Sequence, residues 1–125
     1  MNALIARAGV RWRILLVEDS PDDAELTCIM LADAGLDVEC RRVDTEAEVL
    51  QALAAFAPHL VLSDFNLPGF DGARVLELVR AHAPTARFVF LTGSLGYYQL
   101  PEADGSVPKD ELRLLPALVQ DLLGE

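Results

Sequence analysis

The sequence predicts an α/β fold: a doubly wound parallel sheet with helices on both faces. Three observations carry that prediction. Apolar runs, at residues 14–17, 60–62 and 88–91 within strand-length segments, alternate with stretches whose apolar residues recur at helical spacing. Such alternation implies parallel strands joined by right-handed crossovers. The runs are apolar on consecutive positions, as in strands covered on both faces. The chain has 125 residues, 52% of them apolar, which suits one domain with one core.

In order, residues 1–12 read as a loose leader and residues 13–123 as the domain. The first strand ends at Val17. Ser20-Pro21-Asp22-Asp23 opens a helix, with Ser20 as N-cap and Pro21 at the first helical position. Its apolar residues Leu26, Ile29 and Met30 are expected to face the sheet, and Gly35 to stop it. Residues 38–43 form a mixed, edge-type second strand. Thr45, with Glu48 three residues on, caps a helix ending near Phe56. Val49, Leu50, Leu53 and Phe56 make its stripe, and Ala57-Pro58 ends it. Residues 60–63 form the central strand, and residues 72–81 a helix with Val75, Leu76 and Val79 inward. Residues 87–91 form the fourth strand. Residues 95–104 contain Gly96, Pro101 and two tyrosines, and no helical repeat. Residues 106–108 make a short edge strand, since Pro108 cannot donate to a ladder. Pro116 places a turn at 110–114 and a regular helix from about Leu115.

Twenty acids against ten Lys and Arg give a formal net charge of -10. That disfavours nucleic acid and anionic membranes as partners. No apolar run approaches membrane-spanning length, and the first ten residues lack a signal-peptide core, so a cytoplasmic protein is expected. Cys28 and Cys40 have no CxxC or zinc spacing, and two free thiols are expected rather than a disulfide.

The strand ends converge on one sheet edge. They deliver Glu18 and Asp19, Asp64, Thr92, and Lys109, the only lysine. Crowded carboxylates repel, and a hard divalent cation with oxygen ligands relieves this. Asp19 and Asp64 are the expected Mg²⁺ ligands, with Glu18 acting through water and the Asn66 carbonyl completing the set. Asp64 can then attack phosphorus to form an aspartyl phosphate. Lys109 would neutralise the transferring group's oxygens, the Thr92 hydroxyl would bond one, and backbone amides around Phe65 and Gly93 the others. Asp22, Asp23 and Asp71 read as caps, with Asp22 or Asp23 able to reach the rim. His59 and His82 have no ligand spacing and read as loop residues.

The segments Leu15-Leu-Val-Glu-Asp-Ser-Pro-Asp-Asp23, Leu62-Ser-Asp-Phe-Asn-Leu-Pro-Gly-Phe-Asp-Gly72, Leu91-Thr-Gly-Ser94 and Lys109 together resemble a response-regulator receiver domain of the chemotaxis type. The resemblance implies a flavodoxin-like sheet in strand order 2-1-3-4-5. It implies phosphorylation of Asp64 by a sensor histidine kinase or phosphotransfer protein, with Mg²⁺, or Mn²⁺ in its place. It also implies a downstream protein partner and leaves room for a homodimer. Two departures stand out. The segment between Thr92 and Lys109 is short for a full fourth helix, which reads as reduced or absent. The family's switch aromatic is replaced by Ser106, and Asp110 stands where a proline usually follows the lysine. Output through a surface other than the fourth helix and fifth strand is therefore expected. The alternatives are a phosphorylation-independent pseudo-receiver acting as an interaction module, and a haloacid-dehalogenase-like hydrolase. The hydrolase would need an acid where Asn66 stands.

Overall fold

A computed structural model describes residues 11–93 and 102–124. The elements are β1 (Trp12–Val17), α1 (Pro21–Asp33), β2 (Val38–Val43), α2 (Glu46–Ala55), β3 (Leu60–Asp64), α3 (Gly72–His82), β4 (Arg87–Thr92) and β5 (Gly105–Pro108). A 3-10 turn (Lys109–Leu114) then leads into α4 (Leu115–Leu123). The five strands are parallel, in the order β2-β1-β3-β4-β5. This is the expected 2-1-3-4-5 order.

Period-two alternation along the strands sends side chains to two cores. Leu15, Val17, Val61, Phe88 and Phe90 meet α2 and α3 through residues such as Val49 and Val75. Ile14, Leu16, Leu60, Leu62 and Val89 meet α1 and α4 through Leu31, Leu115 and Val119. The central strand β3 is buried along its whole length, whereas the edge strands β2 and β5 are partly exposed. Pro108 sits in the edge strand, where its missing N–H costs nothing.

The helix starts are fixed as the sequence indicates. Ser20 Oγ accepts from the Asp23 N–H at 3.2 Å, and Thr45 Oγ1 from the Glu48 N–H at 3.2 Å. Asp71 Oδ1 accepts from the Arg74 N–H at 3.0 Å. Each satisfies one amide that a helix leaves unpaired. Gly35 takes the left-handed φ of +94° that ends α1.

Two expectations need correction. In α1 the buried residues are Ala24, Thr27 and Leu31, while Leu26 and Ile29 are 57% and 48% exposed. The helix has apolar residues on two faces, and the face carrying Ala24 and Leu31 is the one that joins the core. The turn after Asp64, at Pro68-Gly69, closes a small antiparallel ribbon, Asn66–Leu67 against Phe70–Asp71. Finally, Cys28 and Cys40 form a disulfide, with Cα atoms 6.5 Å apart. The turn at Gly35 lays β2 back along α1, so a helix position and a strand position 12 residues apart come face to face. No helix joins β4 to β5 among the described residues. The expectation about the fourth helix otherwise falls on residues 94–101, outside those described.

The disulfide closes a short loop in the unfolded chain, so breaking it should cost about 3 kcal/mol on the chain-entropy account. The Cys28→Ser/Cys40→Ser double variant should show that loss in urea unfolding, and reductant should then leave its midpoint unchanged.

Candidate functional site

Four strands bring polar groups to the C-terminal edge of the sheet. Glu18 and Asp19 follow β1, Asp64 is the last residue of β3, Thr92 the last of β4, and Lys109 follows β5. Glu18, Asp64 and Thr92 are buried, at 3%, 8% and 8% exposure, and Asp19 is exposed. The Glu18 N–H donates to the Val43 carbonyl at 3.0 Å, continuing the β1–β2 pairing past the strand. Its carbonyl accepts from Arg42 at 3.1 Å. The side chain therefore turns inward, where Oε2 accepts from the Ser20 N–H at 3.2 Å.

Asp64 is held from its loop. The Phe65 N–H donates to the Leu91 carbonyl at 3.2 Å, and the Gly72 N–H to the Phe65 carbonyl at 2.8 Å. These bonds draw the start of α3 against the end of β3. The Phe65 amide expected to face a ligand is thus already engaged. Asn66 opens the ribbon two residues beyond Asp64 and is exposed.

Lys109 is the hub. Its Nζ lies 2.8 Å from Glu18 Oε1, 3.1 Å from Asp64 Oδ2 and 3.6 Å from Asp23 Oδ2. Burial pulls its ammonium down, but the bonds and charges of Glu18 and Asp64 outweigh this and its pKa is raised. Asp23 therefore reaches the rim while its backbone N–H serves the cap. Asp71 is a cap alone, in agreement with the sequence reading. His82 ends α3 rather than lying in a loop.

Burial pushes the Glu18 carboxyl above its usual 4.5, Lys109 offsets this only in part, and the Asp64 charge adds to the rise. The folded protein thus holds the Glu18 proton to higher pH than the unfolded chain. The stabilisation is complete below the unfolded value and is lost as pH rises through the raised one. In metal-free protein the Glu18 contribution should grow on acidification from neutral toward that value. Glu46, lowered by its bond to Arg74, and His59, lowered by burial, work in the opposite direction. The difference between wild type and Glu18→Gln cancels both. Urea midpoints in chelator across this range should rise for wild type relative to Glu18→Gln.

Carboxylate oxygens of Glu18, Asp19 and Asp64 lie within 4.8 Å of one another. Three carboxylates on one side of a single ammonium make an all-oxygen donor set that fits a hard divalent cation.

The sequence singled out Glu18, Asp19, Asp64, Thr92 and Lys109, and the fold brings all five to one edge. The bridge from Lys109 to Glu18 was not foreseen. The signal available was the acid pair directly after β1, one strand from Asp64.

Residues 14–104 match the family described as "Response regulator receiver domain". The DNA-binding transcriptional regulator NtrC of Escherichia coli (strain K12) is 33% identical over 87 residues, covering 67% of this chain and 17% of that protein. The DNA-binding response regulator MtrA of Mycolicibacterium smegmatis is 38% identical over 72 residues, 58% of this chain and 31% of MtrA. The chain thus spans under a third of these curated relatives. Among solved structures, the response regulator protein TrrA from Thermotoga maritima, in complex with Mg(2+)-BeF, has TM-score 0.77 and 28% identity, covering 90% of this chain and 99% of that one. The N-terminal domain of a response regulator/sensory box/GGDEF 3-domain protein from Carboxydothermus hydrogenoformans has TM-score 0.74 and 28% identity, covering 89% and 93%. Among the described residues no helix is long and apolar enough to cross a membrane.

Proposed function

We infer from a chain that belongs to the response regulator receiver family that residues 13–123 act as a phosphoryl acceptor in two-component or phosphorelay signalling. Asp64 is the acceptor, and a sensor histidine kinase or phosphotransfer protein is the donor. The observation that supports this best is the contact of Lys109 Nζ with Asp64 at 3.1 Å and Glu18 at 2.8 Å inside an acidic pocket.

Asp64 attacks phosphorus through a carboxylate oxygen, the donor's bond to phosphorus breaks, and the leaving imidazole keeps the electron pair. Lys109 swings from carboxylate to phosphoryl oxygen and neutralises the charge brought in. Thr92, at the end of the next strand, offers a hydroxyl to a second oxygen. Asp19 and Asp64, supported by Glu18 and the Asn66 carbonyl, would hold Mg²⁺. When bound, that ion supplies positive charge to the transferring group. Asn66 leaves no acid two residues past the acceptor to activate water, which favours a lasting acyl phosphate over hydrolase turnover.

Incubation with acetyl phosphate and Mg²⁺, followed by intact mass measurement, should show one added phosphoryl group that chelator prevents. No adduct with any divalent metal would overturn the reading in favour of a phosphorylation-independent interaction module.

A further inference from the structure

The opposite edge of the sheet carries a second polar site of contrary sign. An open cavity of about 370 Å³ lies at the strands' N-terminal ends, lined among others by Arg13, His59, Thr85 and Arg87. Its apolar walls include Trp12 and Leu122. The volume is within the range of small-molecule sites. No carboxylate lines it among the described residues, although the chain's formal charge is -10.

The main chains of the three basic residues are linked across three neighbouring strands. The His59 N–H donates to the Arg13 carbonyl at 2.8 Å, and the Arg87 N–H to the His59 carbonyl at 2.9 Å. His59 Nδ1 accepts the Arg13 backbone N–H at 2.9 Å. With Nδ1 accepting, the neutral ring carries its proton on Nε2, which is then a donor. Burial and the Arg13 charge lower the His59 pKa, which keeps the ring in this neutral form. Arg13 is held through Nε by the Phe56 and Ala57 carbonyls, both at 2.9 Å. Its terminal nitrogens have no carboxylate partner among the described residues. Arg87 has only a loose contact with Asp104, at 3.8 Å, and Asp104 is shared with Arg80.

The geometry points to a binding site, distinct from the acidic pocket, for a small organic anion: a carboxylate on a flat apolar body. Arg13 and Arg87 supply the positive charge that attracts the carboxylate, the His59 Nε2–H and the Thr85 hydroxyl add donors, and Trp12 and Leu122 cover the apolar part. Guanidinium groups suit planar carboxylates through paired charge-assisted bonds.

Trp12 is the only tryptophan, so its fluorescence reports directly on this cavity. The test titrates the full chain in chelator, at constant ionic strength, with benzoate, acetate and chloride. Benzoate should give a saturable change, with acetate about tenfold weaker for want of the ring. Arg87→Gln should weaken benzoate about tenfold, and Arg13→Gln likewise. Asp64→Asn should leave benzoate binding unchanged. Arg13 also ties down the Phe56–Ala57 corner, so the half-exposed Arg87 is the decisive variant. Equal responses to benzoate and chloride, or full benzoate affinity in Arg87→Gln, would overturn the assignment.

Discussion

Asp64→Asn should take up no phosphoryl group from acetyl phosphate in Mg²⁺, although it folds and keeps the Lys109 contact. The amide oxygen of the variant can still accept from Nζ, at the place where Asp64 Oδ2 now lies 3.1 Å away. It has no charged oxygen to attack phosphorus, so the chemistry is lost while the geometry stays. The other acids are poor substitutes. Glu18 is tied to Ser20 and Lys109, and Asp19 is exposed rather than held against the lysine. Lys109→Ala separates the two roles of the pocket. It keeps the nucleophile but removes the one cation that faces it among the described residues, and uptake should slow by about 10²–10³-fold, the cost of losing one preformed donor to a developing charge. Intact mass against time and urea unfolding in chelator check both statements. An adduct on Asp64→Asn at the wild-type rate would remove Asp64 from its role.

Much of this fold was legible because local signals agreed. Fully buried strands produced uninterrupted apolar runs, and Ser20, Thr45 and Asp71 marked the helix starts. The site was legible for the same reason: in a parallel sheet, residues just past the strands share one edge. What failed depended on contacts between elements. Periodicity finds the apolar positions of α1 but not which of two apolar faces meets the sheet, and packing chose Ala24, Thr27 and Leu31. The pairing of Cys28 with Cys40 needed the distance between a helix and an edge strand, which spacing along the chain does not carry. Arg13, His59 and Arg87 lie far apart in sequence, and only the register of three strands makes them neighbours.

Gly72→Ala should strongly destabilise this chain. A Cβ there would stand 2.8 Å from the Asp64 carbonyl oxygen, 2.9 Å from the Phe65 Cα and 2.9 Å from Phe90 Cε1. Two of those three atoms are backbone, and Phe90 is a fully buried ring packed edge-on against Phe65 and Phe88. Nothing close by can yield, so α3 must move off the end of β3 and stretch the 2.8 Å bond from the Gly72 N–H to Phe65. The cost should reach about 3 kcal/mol, the upper part of the overpacking range. Gly105→Ala is the control. Its Cβ would also meet an atom at 2.9 Å, but that atom is the tip of the Leu118 side chain, which can rotate away. That variant should lose under about 1.5 kcal/mol. Relieving the ring contact with Gly72→Ala/Phe90→Leu should not rescue Gly72→Ala, because the contacts with Asp64 and Phe65 remain. Since the displaced atoms belong to the acceptor and its neighbour, the folded fraction of Gly72→Ala should also phosphorylate more slowly than wild type. Urea midpoints for the four proteins, with acetyl phosphate uptake normalised to folded protein, decide it. A Gly72→Ala midpoint equal to that of Gly105→Ala would show that this corner of the site is softer than its contacts imply.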